Sequence, residues 1–128
     1  KKGGGFNHRY NLSDEILIKD NHIEATKNLR DIVYKASKSK KIVTVEIENI
    51  NQLKKILGLK FNRVLFDNMK INQLRKCLKI CGGKYETEYS GNANLANIKK
   101  ISKTGINRIS VGAITHSAKA FDTSLLLI

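Results

Sequence analysis

Five short apolar segments each run into a residue that could do chemistry: Lys19, Glu48, Asp67, Ser90 and Gly112, at intervals of 29, 19, 23 and 22 residues. Glu48 and Asp67 are the acids of the series. Paired carboxylates at one opening can hold sugar hydroxyls, steady a magnesium ion directly or through water, or act as general acid and base. Upstream, Asn7-His8-Arg9 sets an imidazole beside a guanidinium, and Lys19 adds an ammonium at the head of Lys19-Asp20-Asn21-His22. An Arg fork with a Lys point charge suits recognition of carboxylates. Singly, such residues are solvated surface charges; three of them at the same strand ends as two acids favour a site. Ser90-Gly91-Asn92 and Gly112-Ala113 follow successive strand-like segments, where backbone N–H groups can converge on a phosphate. One Ser-Gly turn is ordinarily just a cap, and it is the pair on consecutive units that favours a phosphate cradle.

Other reactive residue types carry less. Cys77 and Cys81 lie four apart on a helical stripe with Ile71, Leu74 and Leu78, which makes them core thiols, not a metal or redox pair. His8, His22 and His116 show no ligand spacing, so no structural metal is assigned. Gly3-Gly4-Gly5 alone is a bend or a flexible stretch. Glu46 and Glu86, further down their strands, are expected to be internal ion-pair partners.

These groups need elements to hold them. Val43-Thr44-Val45-Glu46-Ile47-Glu48 alternates strictly, so one strand face is apolar and the other carries Thr44, Glu46 and Glu48. Tyr85 to Ser90 alternates too, with Glu86, Glu88 and Ser90 sharing a face. Leu17-Ile18-Lys19, Arg63 to Asp67 and Arg108 to Gly112 complete the strands. Between them, Ile23 to Ser39, Asn51 to Leu59 and Ile71 to Cys81 have helical spacing, and a further helix is expected after Gly91-Asn92, marked by Leu95, Ile98 and Ile101 and capped by Gly105. Thr123 to Ile128 is a candidate closing element. Strands alternating with helices imply a parallel sheet with right-handed crossovers. Carboxylates on one strand face favour a barrel over an open doubly wound sheet, whose strands are apolar on both faces.

The 128 residues fill one domain, with no linker or low-complexity tract. No apolar run approaches the roughly 18 residues of a membrane helix, and no secretory signal opens the chain, so a cytoplasmic protein without a membrane partner is expected. The net charge of +13 would attract nucleic acid, anionic lipid or small polyanions. Much of it is Lys in a chain also crowded with Asn and Ile, as AT-rich coding produces without selection for binding. Proline is absent, where average usage near 5% predicts about six. With the abrupt start, this points to a piece of a larger protein.

Six ordered motifs carry a resemblance: Gly3-Gly4-Gly5-Phe6-Asn7-His8-Arg9, Leu17-Ile18-Lys19-Asp20-Asn21-His22, Val45-Glu46-Ile47-Glu48, Phe66-Asp67-Asn68-Met69, Glu88-Tyr89-Ser90-Gly91-Asn92 and Ile109 to Ser117. Together they resemble the C-terminal part of quinolinate phosphoribosyltransferase, also called carboxylating nicotinate-nucleotide pyrophosphorylase. The resemblance implies an open seven-stranded α/β barrel, of which residues 1–128 hold the later βα units, the N-terminal α/β domain and first barrel strands being absent from this chain. It implies a pentosyltransferase, working with Mg²⁺ as a homodimer or higher homo-oligomer, that joins quinolinate to phosphoribosyl pyrophosphate with loss of CO₂ in NAD biosynthesis. His8, Arg9 and Lys19 resemble the quinolinate contacts, and Glu48 and Asp67 the acids on the ribose and metal side. Ser90, Gly91, Asn92, Gly112 and Ala113 resemble the cradle of the 5-phosphate. With Lys19, Glu48 and Asp67 as its catalytic set, the family's site is completed by an arginine from a neighbouring subunit, and neither that arginine nor an upstream arginine-lysine-threonine motif is in this chain. Asn92 stands where many members have a second glycine, a swap that keeps the backbone donor. The alternatives are a related paralogue of different substrate, such as the homologue found with molybdenum transport genes, and a basic nucleic-acid-binding module. The second lacks stacking aromatics in a basic groove, so no nucleic-acid partner is expected.

Overall fold

The computed structural model describes residues 3–9, 11–26, 28–116, 120 and 123–126. Its elements run β1 (Glu15–Ile18), α1 (Asp20–Thr26), α2 (Leu29–Ala36), β2 (Ile42–Ile47), α3 (Ile50–Ile56), β3 (Arg63–Asp67), α4 (Ile71–Cys81), β4 (Glu86–Ser90), α5 (Ile98–Ser102), β5 (Arg108–Ile109) and α6 (Ala113–His116). All five strands are parallel and adjacent in chain order, β1-β2-β3-β4-β5. Each neighbouring pair is joined through helix, the arrangement of successive units in an α/β barrel.

Period-2 alternation divides the sheet into two faces. Val43, Val45, Ile47, Val64, Phe66 and Tyr89 are buried on one, packed with Val33 of α2, Leu53 and Ile56 of α3, and Leu74, Cys77 and Cys81 of α4. Cys77 Sγ lies 3.8 Å from Met69 Sδ, and burial pushes the Cys81 thiol up to about 11, so both cysteines are neutral core residues as expected. Gly82 ends α4 in the left-handed conformation, its N–H bonding the Leu78 carbonyl at 3.2 Å.

The other face is polar and tiered by the register. Thr44, Arg63 and Glu86 stand side by side, and Glu46, Leu65, Glu88 and Arg108 form the next row. One step further toward the strand ends, Asp67 pairs with Ser90. Glu48 follows the end of β2.

Two helices differ from expectation. The stretch Ile23 to Ser39 is not one helix but α1 and α2, because Asn28 begins a new one: its side chain accepts from the Asp31 N–H at 3.3 Å. The segment after Ser90 does not enter a helix at once. Gly91 and Asn92 are left-handed, at φ +97 and +52, and the Asn94 and Asn97 amides both donate to the Asn92 carbonyl, at 3.1 and 2.9 Å. This asparagine-built loop delays α5 to Ile98 and leaves Leu95 95% exposed. Gly105 lies two residues beyond the Lys103 cap of α5, in a turn of its own. Residues 123–126 belong to no helix or strand, and Leu127 and Ile128 lie outside the described residues.

Candidate active site

The polar sheet face and the strand ends line a cavity of about 1460 Å³. His8, Arg9, Lys19, Ser90, Gly91, Asn92, Gly112 and Ala113 all contribute to its wall, so the structure brings together the expected dicarboxylate cations and the expected phosphate cradle. Glu48 and Asp67 are not part of that wall: Glu48 is exposed and Asp67 half-buried, both near enough to act on the charge of Glu46, which does line it, and so count as rim acids. The acid that reaches into the cavity from β2 is Glu46. It does not join an internal ion-pair network as expected. Burial raises its pKa, the attraction of Lys19 opposes this, and the repulsion of Asp67, Asp20 and Glu48 adds to the rise. Four acids and one ammonium therefore share the mouth of the barrel.

Glu86 does behave as an internal partner. Arg63, 4% exposed, places Nε 2.8 Å from Glu86 and Nη1 3.2 Å from Glu15, with Glu88 at 3.5 Å, while Arg108 holds the other Glu86 oxygen. Burial opposes ionisation of Glu86, but Arg108 and Arg63 together hold its carboxyl below the usual range. Glu88 is equally inward, with His8 Nε2 3.1 Å from Oε1 and the Ser110 hydroxyl donating to the same oxygen. Sequence reasoning passed over Arg63, Glu15, Glu88 and Ser110. Their signal was there: Arg63, Leu65 and Asp67 alternate along β3 as Glu86, Glu88 and Ser90 do along β4, yet Arg63 to Asp67 reads at first sight as a plain apolar strand.

Asn68 was also missed as a contributor. Left-handed at φ +49, it donates through Nδ2 to Asp67 at 2.9 Å, accepts through Oδ1 from Asn92 at 3.2 Å, and bonds the Ser90 carbonyl through its N–H at 2.9 Å. It thereby ties the rim acid to the Ser90-Gly91-Asn92 turn. Gly91 is required by this contact, since a Cβ there would overlap the Asn68 amide oxygen and lie 2.9 Å from its backbone nitrogen. Gly91→Ala is accordingly expected to be destabilising by about 1–3 kcal/mol from its positive φ and the overlap together. Urea unfolding checks this, and stability equal to wild type would show that the turn is free to move. Gly112 is different: a Cβ there meets the His116 ring first, at 2.5 Å, so a bulky residue would displace His116 before it obstructed a ligand.

A family model described as quinolinate phosphoribosyl transferase, C-terminal domain, matches residues 1–126. The chain belongs to this family. It is 35% identical, across 96% of its length and 41% of the relative's, to quinolinate phosphoribosyltransferase [decarboxylating] 2b, mitochondrial, of Nicotiana tabacum. It is 36% identical, across 98% of its length and 44% of the relative's, to the probable nicotinate-nucleotide pyrophosphorylase [carboxylating] of Bacillus subtilis. Among solved structures, the nicotinate-nucleotide pyrophosphorylase of Francisella tularensis superposes with a TM-score of 0.83 at 43% identity, covering 94% of this chain and 43% of that one. The corresponding protein of Ehrlichia chaffeensis gives 0.84 at 37% identity, covering 90% and 43%. The chain thus spans about two fifths of the length of these relatives. The α/β barrel fold expected from the motifs is the quinolinate phosphoribosyltransferase fold, and the five parallel strands are part of it. No helix among the described residues is long and apolar enough to cross a membrane.

Proposed function

We propose that this chain supplies the barrel portion of an enzyme that transfers phosphoribose from phosphoribosyl pyrophosphate to quinolinate and decarboxylates the product, giving nicotinate mononucleotide, pyrophosphate and CO₂ for NAD biosynthesis. The observation that carries this is the cavity itself: one space is walled by His8, Arg9 and Lys19 and by the Ser90-Gly91-Asn92 and Gly112-Ala113 turns. A dicarboxylate and a sugar phosphate would lie within reach of one another. The ring nitrogen attacks C1 of the ribose as pyrophosphate leaves, and Glu48 and Asp67 at the rim stabilise the positive charge that grows there. The alkylated nitrogen, now cationic, then stabilises the electron pair left on the adjacent ring carbon when its carboxylate departs as CO₂, and that carbon takes up a proton from solvent. That second step asks the protein mainly for orientation by Arg9, His8 and Lys19.

Mg²⁺ fits the residues present in a limited way. Among the described residues no group of three or more His, Cys, Asp or Glu forms a metal cage. The hard oxygens of Glu48 and Asp67 match an ion held by one or two carboxylates, water and substrate phosphates. Bound there, Mg²⁺ would neutralise the pyrophosphate leaving group. We place the working enzyme in the cytoplasm, as a homodimer or higher homo-oligomer; two buried free thiols suit a reducing compartment. The arginines that balance the substrates' charge would then come from the family's N-terminal portion, in part from a neighbouring subunit.

The test is calorimetry and CO₂-release assay on the enzyme with both family portions. Arg9→Ala should raise the quinolinate Kd and KM about tenfold or more with a smaller change in kcat, because a lost carboxylate fork weakens ground state and transition state alike. No CO₂ release from quinolinate by the wild-type enzyme, with another pyridine or an RNA bound instead, would overturn the reading.

A further inference from the structure

The polar network behind the quinolinate pocket has an odd charge count. Three carboxylates, Glu15, Glu86 and Glu88, face two guanidiniums, Arg63 and Arg108. Arg63 is divided among all three acids, and its hydrogen bonds go to Glu86, Glu15 and the Thr44 hydroxyl, not to Glu88. Glu88 is only 2% exposed, receives Arg63 no closer than 3.5 Å, and its Oε2 has no hydrogen-bond partner. A buried carboxylate so placed needs another cation or a proton. The remaining group on it is His8, whose Nε2 lies 3.1 Å from Oε1 while part of the ring reaches the cavity.

We infer that Glu88 is a positioning residue for the quinolinate site: its buried carboxylate holds His8 as an imidazolium, Nε2 anchored inward and Nδ1–H left to donate to a substrate carboxylate. The inference rests on the reading of the cavity as a dicarboxylate site. With His8 protonated the network is neutral, three negative charges against three positive. With His8 neutral it would carry a net negative charge immediately behind the place where an anion has to bind.

The groups around His8 act on it in both directions, and the carboxylates prevail. The hydrogen bond that His8 donates to Glu88 on β4 raises its pKa above the ordinary value, burial opposes that, the charges of Glu88 and of Glu15 on β1 add to the rise, and Arg9 next to it in the chain works the other way. Glu88 is burdened by burial, yet the bonds from His8 and Ser110 and the charge of Arg63 leave its carboxyl below the usual range. The two directions describe one proton residing on the imidazole. His8 is therefore charged at low pH and loses its proton, with its grip on the substrate, only as pH rises through the raised pKa.

The experiment is an NMR pH titration of histidine side chains in the enzyme with both family portions, the His8 signal assigned by its loss in His8→Gln. In the wild type His8 should titrate above the ordinary value of about 6.5, and Glu88→Gln should lower its proton affinity about tenfold or more. Glu88→Asp, which restores the charge, should recover most of that affinity. The kcat/KM for quinolinate in Glu88→Gln should be down about tenfold or more at pH 8 but only about threefold or less at pH 6, where both enzymes keep the imidazolium. A purely structural role for Glu88 predicts equal losses at both pH values, and that result would overturn the inference. So would a wild-type His8 that titrates at or below about 6.5, a measurement that decides the matter even if Glu88→Gln fails to fold. A raised His8 that collapses in Glu88→Gln, in an enzyme that binds no quinolinate, would uphold the ion pair and remove the substrate reading instead.

Discussion

Asp67→Ala, made in the enzyme with both family portions, is expected to lower kcat by about a hundredfold or more with the fold intact, and Glu48→Ala to do the same. In the proposed reaction both acids would flank the cationic transition state, and neither is part of the buried core. Glu48 is exposed; what the fold uses there is its backbone N–H, which donates to Gln52 Oε1 at 2.7 Å and helps to start α3. Asp67 is half-buried, and its bond from Asn68 is short-range. Alanine at either position therefore removes charge without opening a cavity, and thermal melts should stay close to wild type. Glu46→Gln is the control. Glu46 lies one residue pair deeper on β2 and inside the cavity wall, and burial holds its pKa up, which disfavours its charged form. If Glu46→Gln abolished turnover while Glu48→Ala and Asp67→Ala ran at wild-type rates, the reaction centre would have to move inward by one tier of the barrel.

The contrast between Glu46 and Glu48 shows how far the sequence could be read. Alternation placed both on the polar face of β2, and the spacing of strand ends placed Glu48 at the mouth. The register keeps Glu46 on that face, while Glu48 lies just past the end of β2, exposed and outside the cavity wall. What alternation could not give was level. Lys19 follows a β1 that is paired Ile18 to Val45, so it stands across from Glu46 and not Glu48, and only the register of two strands 27 residues apart fixes that. The same limit hid the Arg63 network, whose partners Glu15 and Glu88 are 48 and 25 residues away and meet only when the strands are aligned. Local signals misled where asparagine was concerned. Asn28 split an expected helix, and the run of Asn92, Asn94 and Asn97 delayed another, because a short amide side chain competes for the backbone bonds that a helix would make. The apolar periodicity of α4, with no such competitor, was legible to the residue.

Residues 1–128 by themselves are expected to release no CO₂ from quinolinate above background and to associate in solution. Charge gives the first reason. Among the described residues that wall the cavity, Arg63 and Arg108 are committed to Glu15, Glu86 and Glu88, and His8 is bound to Glu88 as well, which leaves Arg9 and Lys19 outside that network. A dicarboxylate and a pyrophosphate-bearing sugar bring more negative charge than these can offset once both ligands are desolvated. Surface gives the second. Phe6, Leu12, Leu95, Ile114, Leu125 and Leu126 are each 80% exposed or more, and among the described residues β1 and β5 each pair on one side only. Unpaired strand edges beside exposed apolar side chains recruit other chains. Joining or co-expressing the chain with the family's N-terminal portion should cover these surfaces, supply cations, and bring activity up from background. Size-exclusion chromatography with the CO₂ assay, run on the short chain and on the pair, checks both arguments at once. A short chain that is monomeric and as fast as the pair would show that Arg9, Lys19 and His8 suffice and that the edges are harmless.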